Sequence, residues 1–135
     1  MPIPQLNLFI FLLIVISIIS VISAGGLFMV GNKIKQARDS DRRVDIYEIR
    51  LGLEQYFIGQ DVYPDSLSFN TQPLTSPDGQ QIYLPRVHRD IVNKDPYLYV
   101  YNATPSGSAK TYDLCAYRLE VPKTPNESFC LHQMQ

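Results

Sequence analysis

The sequence predicts an α+β protein: one long N-terminal helix, apolar in its first half and amphipathic in its second, packed on a small antiparallel β-sheet. Three observations carry that expectation. Leu8 to Val30 is a run of 23 residues, sixteen of them Leu, Ile, Val or Phe. Asn32 to Ile58 contains no Pro and repeats its apolar residues at helical spacing. Tyr97 to Tyr101 and Thr111 to Leu119 alternate at the strand period, and the connection between them is too short for a crossover. The boundaries expected are an apolar helix over residues 1–32 and a globular domain over 33–135. The domain divides into a helix continuation over 33–58, a loop over 59–96 and a sheet over 97–131.

Composition separates the same two parts. Residues 1–32 hold no charged side chain, so all 12 Lys and Arg and all 13 Asp and Glu fall in the remainder. The mean hydropathy of −0.08 is thus an average over two unlike segments. A net charge of −1 argues against a nucleic-acid binder driven by bulk positive charge. As a helix, Leu8 to Val30 is about 34 Å long, enough to cross a hydrocarbon core of about 30 Å. Its sixteen large apolar residues favour insertion by about 5–10 kcal/mol. The competing reading is a cleaved signal peptide, for which Ser23, Ala24 and Gly25 offer a cleavage site. Against it, the seven leading residues carry no Lys or Arg, and the run exceeds a usual signal-peptide core.

Beyond the apolar run, Ile46, Ile49, Leu53 and Phe57 form one helical stripe, which Val44, Tyr47 and Leu51 widen. Asp39 with Arg43, and Arg50 with Glu54, stand four apart and are expected on the solvated face. Gly59, Asp61 and Pro64 end the helix. Ser68 to Gln80 reads as a loop of turn formers, Ile82 to Pro85 as a short extended piece, and Arg86 to Pro96 as another loop with room for one helical turn. In the first strand the tyrosines Tyr97, Tyr99 and Tyr101 share one face, opposite Leu98 and Val100. The tyrosine face is expected to be exposed and is the candidate subunit contact. Asn102 to Lys110 is an exposed hairpin loop, and Ser128 to Leu131 adds a third short strand. The two cysteines, Cys115 and Cys130, either bridge, closing a loop of about 15 residues worth about 3 kcal/mol, or remain free thiols in a reducing compartment. A bridge is the expectation for a small domain outside a membrane.

The local patterns, taken in order, resemble the type IV pilin superfamily, including the pseudopilins of type II secretion. The residues that carry the resemblance are Ala37-Arg38-Asp39-Ser40-Asp41-Arg42-Arg43, Asp45-Ile46, Leu53-Glu54-Gln55-Tyr56-Phe57, Tyr63-Pro64-Asp65-Ser66-Leu67 and Tyr83-Leu84-Pro85-Arg86-Val87. They continue through Asp95-Pro96-Tyr97-Leu98-Tyr99 and Tyr112 to Glu120, so the match spans about 85 residues. The resemblance implies an apolar helix that continues as the spine of a sheet-capped domain, a Cys115–Cys130 bridge closing the last loop, and assembly into a filament. Two family features have no counterpart. Met1 to Asn7 contains neither a basic residue nor a Gly at which a leader would be cut, and no Glu precedes Glu48. No acidic loop near the C-terminus matches the calcium ligands of pseudopilins.

The function expected is a structural subunit of a type IV pilus-like or pseudopilus filament. Leu8, Phe11, Val15, Ser20, Ala24, Gly25 and Gly26 are the candidate helix–helix assembly positions, the small residues among them permitting close approach. The partners implied are other copies of the subunit, an assembly platform and, before assembly, the membrane. The alternatives are a permanently anchored binding module and a secretion accessory. Lys33, Lys35, Arg38, Arg42 and Arg43 follow the anchor, which under the positive-inside rule places the domain in the cytoplasm. The resemblance and the bridge place it outside, and that is the location expected. Two glycosylation triplets begin at Asn102 and Asn126. The basic cluster Arg86, His88, Arg89 and Lys94 is interleaved with Asp90 and Asp95 and reads as surface loop. No nucleophile motif, phosphate loop or metal-ligand spacing is visible, so neither enzyme activity nor a metal or cofactor is expected.

Overall fold

The computed structural model describes residues 5–134, except for the side chains of Gln5, Leu6, Ala24, Gly25, Leu27 and Phe28. The described residues are α+β, with one helix, a three-stranded antiparallel sheet and a two-stranded one, as the two periodicities predict in general terms. The chain divides into two compact units, Met1–Lys35 and Gln36–Gln135. Helix α1 runs Gln5–Gln60 and contributes to both. In the first unit its described side chains are almost all exposed, Val15 being half-buried. Among the described residues no helix is long and apolar enough to cross a membrane.

The second unit is built around the stripe Ile46, Ile49 and Leu53, all fully buried. Strands β3 (Tyr99–Thr104), β4 (Thr111–Ala116) and β5 (Phe129–His132) form an antiparallel sheet in the order β3-β4-β5. Its inner face adds Tyr99, Tyr112, Leu114 and Ala116 to the same core. The loop between helix and sheet contains a two-stranded hairpin, β1 (Leu74–Thr75) with β2 (Ile82–Leu84). The extended piece at Ile82 was legible; its two-residue partner was too short to leave a periodic signal. Gly52 lets this hairpin approach α1, because a Cβ there would lie 2.8 Å from Leu84 Cβ. No helical turn forms in 86–96.

Several boundaries differ from expectation. Strand β3 begins at Tyr99, because the segment before it turns at Lys94–Tyr97, where Tyr97 N–H donates to Lys94 O at 2.7 Å. It ends at Thr104, so the hairpin loop is shorter than Asn102 to Lys110. That loop is not wholly exposed either: Ala109 is fully buried, and its carbonyl accepts the Tyr63 N–H at 2.8 Å. The third strand lies one residue later than Ser128–Leu131.

Candidate functional site

Three segments distant in sequence converge on Arg42. Arg42, Ile46, Ile49 and Leu53 follow one another at spacings of four, three and four, so the helix face that buries the aliphatics buries the guanidinium too. Arg42 Nε donates to Asp90 Oδ2 at 2.5 Å, Nη2 to Asp90 Oδ1 at 3.2 Å, and Nη1 to Asp39 Oδ1 at 2.7 Å. Nη2 also stands 2.9 Å from Glu120 Oε1. Arg38 grips Glu120 from the other side, Nε to Oε1 at 2.7 Å and Nη2 to Oε2 at 2.5 Å.

The carboxylates also hold backbone. Asp39 accepts the N–H groups of Glu120 at 2.8 Å and Val121 at 2.7 Å. Asp90 accepts those of Val92 at 2.7 Å and Asn93 at 3.3 Å. The network therefore fastens the 86–93 loop and the chain leaving β4 to one turn of α1. Burial pulls the Arg42 pKa down, but hydrogen bonds to Asp90 and Asp39 outweigh it and leave the guanidinium firmly charged. The Arg38 hydrogen bond holds the Glu120 carboxyl below its ordinary pKa, against the opposing effect of burial.

Here the expected wet face is corrected. Asp39 does not pair with Arg43 on a solvated side; it is buried and pairs with Arg42. Arg50 and Glu54 do not pair either. Glu54 instead accepts the hydroxyls of Tyr63 at 2.9 Å and Tyr112 at 2.8 Å, together with the Met134 N–H at 2.9 Å. Arg50 Nε is left buried without a hydrogen-bond partner among the described residues. His88 sits between Asp45, at 3.1 Å from Nδ1, and Glu48, at 3.2 Å from Nε2, a pairing that no sequence spacing announces. Burial raises the Asp45 pKa, opposed by hydrogen bonding from Tyr99 and the charge of His88.

The tyrosine face of β3 points inward. Tyr99 is buried and donates to Asp45 Oδ2 at 2.7 Å; Tyr101 is half-buried and donates to the Pro64 carbonyl at 2.7 Å. Tyr97, also half-buried, lies under Arg42 with its ring centroid 4.9 Å from Cζ. Exposure of these three is thus corrected: amphipathic rings spend their apolar area on the core while their hydroxyls reach polar partners at its rim. The outward residues of β3 are Val100, Asn102 and Thr104.

Cys115 and Cys130 are bonded, facing one another across β4 and β5 with their Cα atoms 4.1 Å apart. They lie on the outer sheet face, beside a groove of about 530 Å³ lined by Val100, Asn102, Cys115, Tyr117, Arg118, Asn126 and Ser128. Both glycosylation-triplet asparagines border this one groove. Of the assembly positions, Leu8, Phe11, Ser20 and Gly26 are exposed and Val15 half-buried, while Ala24 and Gly25 lie outside the described side chains. Arg86, Arg89 and Lys94 are exposed. Among the described residues no group of three or more His, Cys, Asp or Glu is placed to hold a metal ion.

No family model, curated protein or solved structure matches the chain. The functional reading therefore rests on its own residues and geometry.

Proposed function

We propose that this chain is a structural subunit of a type IV pilus-like or pseudopilus filament. Its apolar segment holds it in the membrane before assembly and packs against copies of itself afterwards. The disulfide-bonded domain lies outside the cytoplasm, and an assembly platform receives the subunit. The observation that carries the reading is the surface of α1 from Leu8 to Ile22, where large apolar side chains are exposed around the helix. Ser17 and Ser20 turn their hydroxyls back on the helix, donating to Ile14 O at 2.7 Å and Ile16 O at 2.8 Å. A helix apolar on every side calls for lipid or other helices around it. Serines satisfied within their own helix enter such surroundings without an unpaired donor.

The groove on the outer sheet face favours a second reading, a permanently anchored module that binds a ligand there without polymerising. Non-reduced intact-mass analysis of sheared surface material and of membranes separates the two. Recovery in the sheared fraction, with the mass of the bridged form, supports the filament subunit. Recovery in the membrane fraction alone overturns it in favour of the anchored module.

A further inference from the structure

We infer that the 86–96 loop of one copy docks on the exposed back of α1 in the next, forming a heterologous contact that propagates. The inference rests on the proposal that the chain assembles with copies of itself, and it names the surfaces through which the domains would meet. The first patch is a knob: Ile91 is 70% exposed and Val92 41%. Arg86, Arg89 and Lys94 surround them, all exposed and without an ion pair among the described residues; exposed Asp95 only partly offsets that charge. The knob is held out by what lies beneath it. Asp90, 2% exposed, is bound to Arg42 and caps Val92 and Asn93. A loop fastened in this way loses little freedom on binding.

The second patch lies on α1, opposite the core stripe. Val44, Tyr47 and Leu51 are 53%, 49% and 54% exposed, although their spacing of three and four marks them as an apolar face. Asp41 flanks this face, exposed and without an ion pair among the described residues; Glu48 flanks it too but is engaged by His88. Arg43 on the far flank lies over the Phe129 ring, 5.7 Å from its centroid. One patch is thus apolar with a cationic rim; the other is apolar with the free carboxylate of Asp41 on one flank and half-buried Arg43 on the other. Within one chain Asp90 holds the loop at Arg42 and His88 holds it at Asp45 and Glu48, on the flank of this face, and Tyr47 packs 5.7 Å from the Phe129 ring; the outer side of both patches stays exposed. Two different, complementary patches on one subunit make a head-to-tail contact, which builds an open helical array where the rotation does not close. The rim charges set orientation and exclude like-charged pairings.

The test is photo-cross-linking of the full-length chain carrying Ile91→p-benzoylphenylalanine, in membranes and in sheared surface material, with isotope-labelled copies mixed in. Adducts between copies that map to residues 44–51 and run as a ladder support the contact. Arg89→Glu should lower their yield about tenfold, and pairing it with Asp41→Arg should restore most of the loss. Filaments whose adducts map elsewhere overturn the contact and leave the filament proposal standing. A ladder to residues 44–51 in membranes with no sheared filament supports the contact and sinks the filament proposal. A dimer alone, or adducts only to lipid, overturns the propagating contact.

Discussion

Replacing Arg42 by Met tests whether the buried network holds the domain together. The substitution roughly conserves volume, so packing changes little and the effect is electrostatic. It leaves Asp39 and Asp90 buried without their cation. Removing one partner of a buried pair costs about 3–5 kcal/mol because the remaining charge is uncompensated. The structure points to the lower end. Asp39 keeps two backbone N–H donors, Asp90 keeps two, and Glu120 keeps Arg38. A loss of about 3 kcal/mol is a large share of the 5–15 kcal/mol typical of a domain. For a unit of this size it corresponds to a Tm lower by about 12–24 °C.

All nine tyrosines lie between Tyr47 and Tyr117, and the chain has no Trp. Near-ultraviolet circular dichroism of the full chain in detergent, read in the tyrosine band where Phe9, Phe11 and Phe28 contribute little, therefore reports the second unit. Asp90→Asn in the Arg42→Met background should recover part of the loss, since the amide oxygen still caps Val92. A loss below about 1 kcal/mol, or single-variant costs that add within about 0.5 kcal/mol, would refute the reasoning.

Three further outcomes follow from particular contacts. Gly52→Ala should cost about 1–3 kcal/mol, read by the same melt, because Leu84 Cβ already occupies the space the new methyl needs. Reducing the Cys115–Cys130 bridge should cost about 3 kcal/mol and speed hydrogen exchange first in β5, since the bridge closes a 15-residue separation and ties that strand to β4. Burial raises the pKa of Tyr56, Tyr63, Tyr99, Tyr101 and Tyr112, with carboxylates adding to it. Their neutral forms are favoured in the fold, so their contribution is full below the ordinary tyrosine pKa near 10 and is lost as pH rises through the higher folded values. Absorbance titration should therefore show these five ionising late, together with unfolding.

The sheet and the helix were legible because each writes a period into the chain. Two-residue alternation at Thr111–Ala116 and three-and-four spacing through Ile46, Ile49 and Leu53 place the core without any tertiary information. What alternation does not encode is which face turns inward. In β3 both faces are apolar enough, Tyr99 and Tyr101 against Val100, and the choice was made by acceptors elsewhere: Asp45 on α1 and the Pro64 carbonyl. The hairpin partner Leu74–Thr75 was invisible because two residues have no period. The outlying strand boundaries moved for the same reason, since local turns at Lys94–Tyr97 rather than pattern decide them.

The network at Arg42 shows where a signal existed and was outweighed. Charges four apart on a helix usually mark a wet face, so Asp39 with Arg43 read as solvated. Yet Arg42 continues the Ile46–Ile49–Leu53 stripe by one further step, and a stripe extended by a charged residue is a prompt to look for buried partners. Those partners, Asp90 and Glu120, are 48 and 78 positions away, and no spacing rule reaches them. Burying a charge among aliphatics is tolerable only when carboxylates and backbone donors converge on it together. The same convergence fixes the 86–93 loop to α1 and holds Ile91 outward. The internal ionic anchor and the external knob are thus two sides of Asp90: a change that releases Asp90 from Arg42 should loosen the domain and weaken the contact between copies at once.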